Sequence, residues 1–96
     1  MKQLIVVETI QAIPGKATAL KQALLELVPF SLKEKGCLQY EVAESEQGEE
    51  IFLVLMRWEN IEALEAHNIS THIQEFVRKY DGILYGEVKE TLWVPC

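Results

Sequence analysis

The sequence predicts an α+β protein of the ferredoxin-like order β-α-β-β-α-β. Its four strands form one antiparallel sheet, and two copies are expected to pair through the sheet face. Three observations lead there. Strand-like and helix-like hydrophobic periods alternate in that order along the chain. The first and third strands are apolar on both faces, so a sheet with helices on one side alone leaves a large apolar patch in water. The simplest cover is the same face of a second copy about a twofold axis. At 96 residues, 1–96 is one domain.

The first strand runs from about Lys2 to Ile10, with Leu4, Val6, Glu8 and Ile10 on one face and Ile5, Val7 and Thr9 on the other. Pro14-Gly15 supplies the turn after it. The first helix starts near Lys16 and carries Leu20, Ala23, Leu24, Leu27 and Val28 on one stripe. Pro29 removes one backbone hydrogen bond and implies a kink rather than a stop. Gly36 can take the left-handed conformation that ends a helix.

The second strand spans about Leu38 to Glu46, and the polar stretch Ser45 to Glu50 reads as a hairpin loop. The third strand is Ile51 to Trp58, apolar on both faces except at Arg57. Asn60 caps the next helix, with Glu62 in the first turn where the dipole favours an acid. Ser70 is the expected cap of a further helix carrying Ile73, Phe76, Val77 and Tyr80 inward, and Gly82 its expected end. The last strand runs from about Gly86 to Val94, and Pro95 stops it.

Hydrophobic residues make up 49% of the chain, enough for a packed core and too many for a disordered chain. The net charge of −6, with no basic run longer than Arg78-Lys79, disfavours nucleic acid and anionic membrane as partners. No apolar run approaches the roughly 20 residues of a membrane helix, and no secretory signal is evident. These features predict a cytoplasmic protein. Two cysteines, Cys37 and Cys96, and two histidines at these spacings do not resemble a zinc site.

The most informative stretch runs from Trp58 to Phe76: an aromatic residue ends an apolar strand, and both histidines follow within one short segment. His67 lies three residues after Leu64 and four after Ala63, so it shares their face and points into the protein. An inward imidazole needs a partner or a ligand, and it is the side chain suited to proton transfer near neutral pH.

This segment resembles the signature of the antibiotic-biosynthesis monooxygenase family, in which a strand-end Trp is followed by Ala-Leu, His, Ser and His. Glu34, Gly36-Cys37-Leu38 and Tyr40 form a second similar block, and Pro14-Gly15-Lys16 a third. The resemblance implies a dimeric α+β barrel that oxidises electron-rich phenols or quinols with O₂ and no metal or flavin. Such chemistry needs a base near the hydroxyl, an aromatic-walled pocket and donors for the developing anion.

On that basis His67, His72 and Glu8 are the candidate catalytic groups, and Trp58, Tyr40, Asn68 and Phe76 the candidate substrate contacts. Each has a plainer reading. His67 can be satisfied by a backbone carbonyl, and His72 can sit at the surface beside the Ser70 cap. Glu8 can pair with Arg57, Tyr40 can pack against the first helix, and Asn68 can cap the helix end. Trp58 needs a partner for its indole N–H if buried.

The chain also departs from the family. Many members place Glu two residues before the strand-end Trp, where this chain has Met56, so a carboxylate that orients a histidine is missing from that position. The haem-degrading branch has Asn where Glu8 stands and a His near Phe76 and Val77, which argues against haem. The sequence therefore predicts no cofactor and no metal. Its partners are expected to be a second copy through the sheet face and a small aromatic substrate. Two other readings stay open: an isomerase of a small phosphorylated ketose on the same scaffold, and a ligand-binding module without catalysis.

Overall fold

A computed structural model describes residues 2–96. The elements are β1 (Leu4–Gln11), α1 (Ala17–Leu32), β2 (Cys37–Glu44), β3 (Ile51–Trp58), α2 (Ile61–Asn68), α3 (Thr71–Tyr80) and β4 (Lys89–Trp93). One 3-10 turn, Asp81–Ile83, follows α3. All pairings are antiparallel in the order β2-β3-β1-β4. This is the ferredoxin-like arrangement the periodicity predicts.

The strands pair in a register that sets one face of each against the helices. Leu4 opposes Trp58 and Val6 opposes Met56. On the far side of β3, Tyr40 opposes Met56 and Val42 opposes Val54. Val6, Ile10, Tyr40, Phe52, Val54, Met56 and Trp58 are therefore buried under α1, α2 and α3. Leu20, Ala23, Leu24 and Leu27 of α1 fill the space above them. Each such leucine contributes about 1.5–3 kcal/mol by leaving water.

The opposite face carries Ile5, Val7, Leu53 and Leu55, none of them fully buried, together with Trp93, which is exposed. The two-sided apolar pattern of β1 and β3 is thus present as a bare sheet face in the single chain.

Several boundaries differ from the sequence reading, for identifiable reasons. α1 runs through Pro29 to Leu32, so the proline does not stop the helix. It ends four residues before Gly36, in a turn closed by Lys33 and Glu34 amides donating to Phe30 and Ser31. Gly36 does hold a left-handed φ of 84°, but its task is a close approach: a Cβ there would lie 2.6 Å from the Cβ of Ala63. The Gly36 carbonyl also accepts a 2.8 Å bond from the Glu59 amide. These contacts clamp the α1–β2 turn onto the start of α2.

Asn60 caps α2 as expected, its Oδ1 accepting from the Ala63 amide at 2.9 Å. Ser70 occupies the cap position of α3 but makes no side-chain cap bond; its hydroxyl donates to the His67 carbonyl at 2.7 Å. Gly82 does not end α3; the helix stops at Tyr80 and Gly82 sits inside the 3-10 turn. β4 is shorter than its alternation suggests and lies wholly exposed at the sheet edge.

Candidate active site

Three elements meet above the β3 end of the sheet. Trp58 closes β3 on its helix-facing side and is fully buried. The Asn60 cap sets the phase of α2, so Leu64 and His67, one turn apart, both point down onto the sheet. His67 is 2% exposed, its ring centroid 4.7 Å from Trp58, 5.5 Å from Tyr40 and 5.9 Å from His72. Four of the residues singled out from the sequence thus converge.

The group that joins them was not singled out for a role. Glu34, in the α1–β2 turn, places Oε1 2.7 Å from His67 Nδ1 and 2.9 Å from His72 Nε2. It supplies to the histidines the carboxylate that Met56 cannot. One sequence signal could have found it: an acid just past the end of a helix is disfavoured by the dipole unless another contact offsets that cost. The plainer reading of His67, satisfied by a backbone carbonyl, does not hold, since Glu34 is the partner of its ring.

The hydrogen bonds fix the protons. A carboxylate accepts only, so His67 Nδ1 and His72 Nε2 both donate to Glu34. The Ser70 proton is committed to the His67 carbonyl, so the 3.3 Å contact from His72 Nε2 also has Ser70 Oγ as acceptor. In the neutral rings the lone pairs then fall on His67 Nε2 and His72 Nδ1. Burial pushes the His67 pKa below its ordinary value, against the pull of Glu34, so its ring is neutral at neutral pH.

The cavity beside this cluster lies between α1 and α3 and has a volume of about 290 Å³. Phe30, Phe76, Tyr80 and His72 form its aromatic lining, with Glu26, Glu75 and Lys79 as its charged residues. The Phe30 ring stacks on His72 with centroids 5.7 Å apart and planes 25° from parallel. His72 is therefore a cavity wall rather than a surface histidine, and His67 lies behind it.

The remaining candidates separate. Trp58 donates its indole N–H to Met56 Sδ at 3.4 Å, so the buried N–H has a protein partner. Tyr40 is buried beside Ser31 of α1, and burial pushes its phenol pKa well up. Asn68 is exposed at the end of α2 and does not line this cavity. Glu8 does not pair with Arg57, which projects from the other sheet face and donates to Gln3 Oε1 at 3.0 Å.

Glu8 instead faces inward, opposite Glu90 of β4. Burial, then a hydrogen bond that protonated Glu8 donates to Glu90, and the charge of Glu90, push its pKa up to about 8. Because the folded pKa lies above the unfolded one, the folded state holds the extra proton. Stability is fully present below the unfolded value near 4.5 and is lost as pH rises towards about 8. Glu8→Gln, which cannot ionise, is expected to remove most of that loss, worth on the order of a few kcal/mol at pH 8. Melting curves from pH 5 to 8.5 check it. Parallel slopes for the two proteins would show that Glu8 is ionised throughout.

The sequence reading that no metal ligands cluster is also corrected. Ligand atoms of Glu34, His67 and His72 all lie within 4.8 Å of one another. Spacing along the chain could not show this, because the three residues sit on three elements.

Comparison with known proteins agrees with the fold. Residues 3–79 match the family model described as antibiotic biosynthesis monooxygenase. The chain is 32% identical over 71 residues to "Putative monooxygenase YcnE" of Bacillus subtilis (strain 168), covering 74% of this chain and 75% of that protein. The crystal structure of PA3566 from Pseudomonas aeruginosa superposes with a TM-score of 0.93 at 32% identity, covering 100% of this chain and 96% of that one. A conserved protein from Methanosarcina mazei Go1 gives 0.88 at 27% identity, covering 97% and 92%.

Proposed function

Since the chain belongs to the antibiotic biosynthesis monooxygenase family, we propose that it oxidises a small electron-rich hydroxylated aromatic with O₂, using no metal or flavin. One observation carries the reading: a single carboxylate oxygen of Glu34 accepts from two imidazoles, one of them in the wall of an aromatic-lined cavity.

The substrate ring lies among Phe30, Phe76 and Tyr80 with its hydroxyl towards His72. An imidazole lone pair takes the hydroxyl proton, and Glu34 stabilises the imidazolium that forms, as a buried carboxylate does in a hydrolase triad. His67 holds the same carboxylate from behind and is the second base candidate. The ring anion then gives an electron to O₂, and the two radicals combine at carbon. Collapse leaves a quinone and water, so one oxygen atom enters the ring, the other leaves as water, and the substrate supplies all the electrons. Glu26 and Glu75 against the single Lys79 make the cavity a poor host for a phosphorylated ketose.

Oxygen uptake against a panel of hydroquinones and naphthols, with chelator and no added flavin, tests the reading. The expected result is substrate-dependent uptake that Glu34→Gln reduces by about 10²-fold or more. No uptake above the buffer rate with any hydroxylated aromatic would overturn it.

The bare face of β1 and β3 is read as the interface of a twofold homodimer. Interfaces of this core-like kind bury more than about 2,000 Å². Sedimentation velocity is expected to show a dimer down to low micromolar concentration. A folded monomer there would refute the assembly without touching the chemistry.

A further inference from the structure

We propose that Glu34, His67 and His72 form a binding site for one divalent transition ion of the zinc or cobalt class, and that ion binding and proton acceptance exclude each other. The binding claim stands independently of the oxidation reading.

The donor set comes first. Two imidazole nitrogens and a carboxylate oxygen are the ligands that zinc takes when it keeps an open position, and other first-row ions accept the same set. They sit on the α1–β2 turn, α2 and α3, with the ligand atoms within 4.8 Å of one another. An ion about 2.0–2.2 Å from each ligand needs them roughly 3.0–3.6 Å apart. The two Glu34 separations, 2.7 and 2.9 Å, must therefore open by a few tenths of an ångström. Glu34 is partly exposed and lies in a turn, so a small change in its side-chain torsions supplies that.

The single carboxylate of the cluster offsets part of the ion's charge. The cavity lies beside His72 and leaves room for water or an added ligand at the open position. Ligation requires neutral imidazole.

The exclusion follows from the tautomers. Without an ion, His67 Nδ1 and His72 Nε2 carry the protons and point them at Glu34. With an ion, those same two nitrogens become its ligands. Each neutral ring must then move its proton to the other nitrogen, so His67 Nε2 and His72 Nδ1 turn from lone pairs into N–H donors. Nothing is oxidised or reduced, and no proton need leave a neutral ring. The ion-bound cluster has no imidazole lone pair left to accept a substrate proton.

Titrating the metal-free full-length protein with Co²⁺, read by visible absorption, tests the site. A second titration with Zn²⁺, read by ¹⁵N shifts of the imidazoles, tests the tautomer change. The expected result is one ion per chain with a d–d band, and the two histidines exchanging their protonated nitrogens on zinc binding. Glu34→Gln and His72→Ala, each shown to be folded by its melting transition, are expected to weaken binding at least about tenfold. His72 is the chosen histidine because it lies at the cavity wall and not in the core. No saturable binding below about a millimolar would overturn the proposal. So would affinity unchanged in both variants, or a thiolate-to-cobalt band, which would assign the ion to Cys37 or Cys96.

Discussion

His67→Ala is expected to lower turnover by about 10²–10⁴-fold while the protein still folds. The size is that of a positioned proton-transfer group or of the residue that orients one. Stability falls by about 1–3 kcal/mol, because a buried hydrogen bond is lost and Glu34 loses one of its two donors. A domain with the usual margin of about 5–15 kcal/mol survives that. Turnover per folded molecule and melting temperature, measured on the same preparation, separate the roles. If specific activity stays near that of the parent, His67 only packs against Trp58 and Tyr40, and the base is His72 alone.

Gly36→Ala is expected to be the most damaging Gly→Ala change among the described residues, at about 2–5 kcal/mol. Two costs combine. A φ of 84° is unfavourable for any residue with a Cβ, by about 1–2 kcal/mol. The added methyl also meets the Ala63 Cβ at 2.6 Å, and overpacking costs about 1–3 kcal/mol. Ala63→Gly made alone costs about 1 kcal/mol of helix propensity. In the double variant the clash disappears, so its loss should fall short of the sum of the two by at least about 1 kcal/mol. Urea denaturation of the four proteins measures this. Simple additivity would mean that the turn, rather than the contact with α2, sets the cost.

Most of the fold was legible because period and punctuation agree. Asn60 caps where it should, the β3 bounds coincide with the sequence reading, and Pro29 bends no boundary. The misplaced ends are those where tertiary contact outweighs local signal. Gly36 looks like a helix terminator and is in fact a packing glycine against Ala63. β4 alternates over nine residues, yet only Lys89–Trp93 finds a ladder partner on β1.

The site was half legible for the same reason. An inward histidine follows from its helix phase, so His67 could be placed beside Trp58 and Tyr40. What it bonds to could not, because Glu34 arrives from a turn 33 residues away. Glu8 shows the converse. Its odd place in an apolar stripe was visible, but its neighbour Glu90 lies on the last strand, and only the sheet order brings the two together.

That long-range bridge has a consequence for the order in which the molecule becomes reactive. Glu34 reaches His67 and His72 across 33 and 38 residues of sequence. Contacts of that separation form only after the elements carrying them have docked, because the loops they close must first lose their freedom. A nascent or partly opened chain can hold each helix and still have no carboxylate beside either imidazole. The carboxylate-bridged histidine pair is then confined to completed molecules, and a partly folded chain does not carry it.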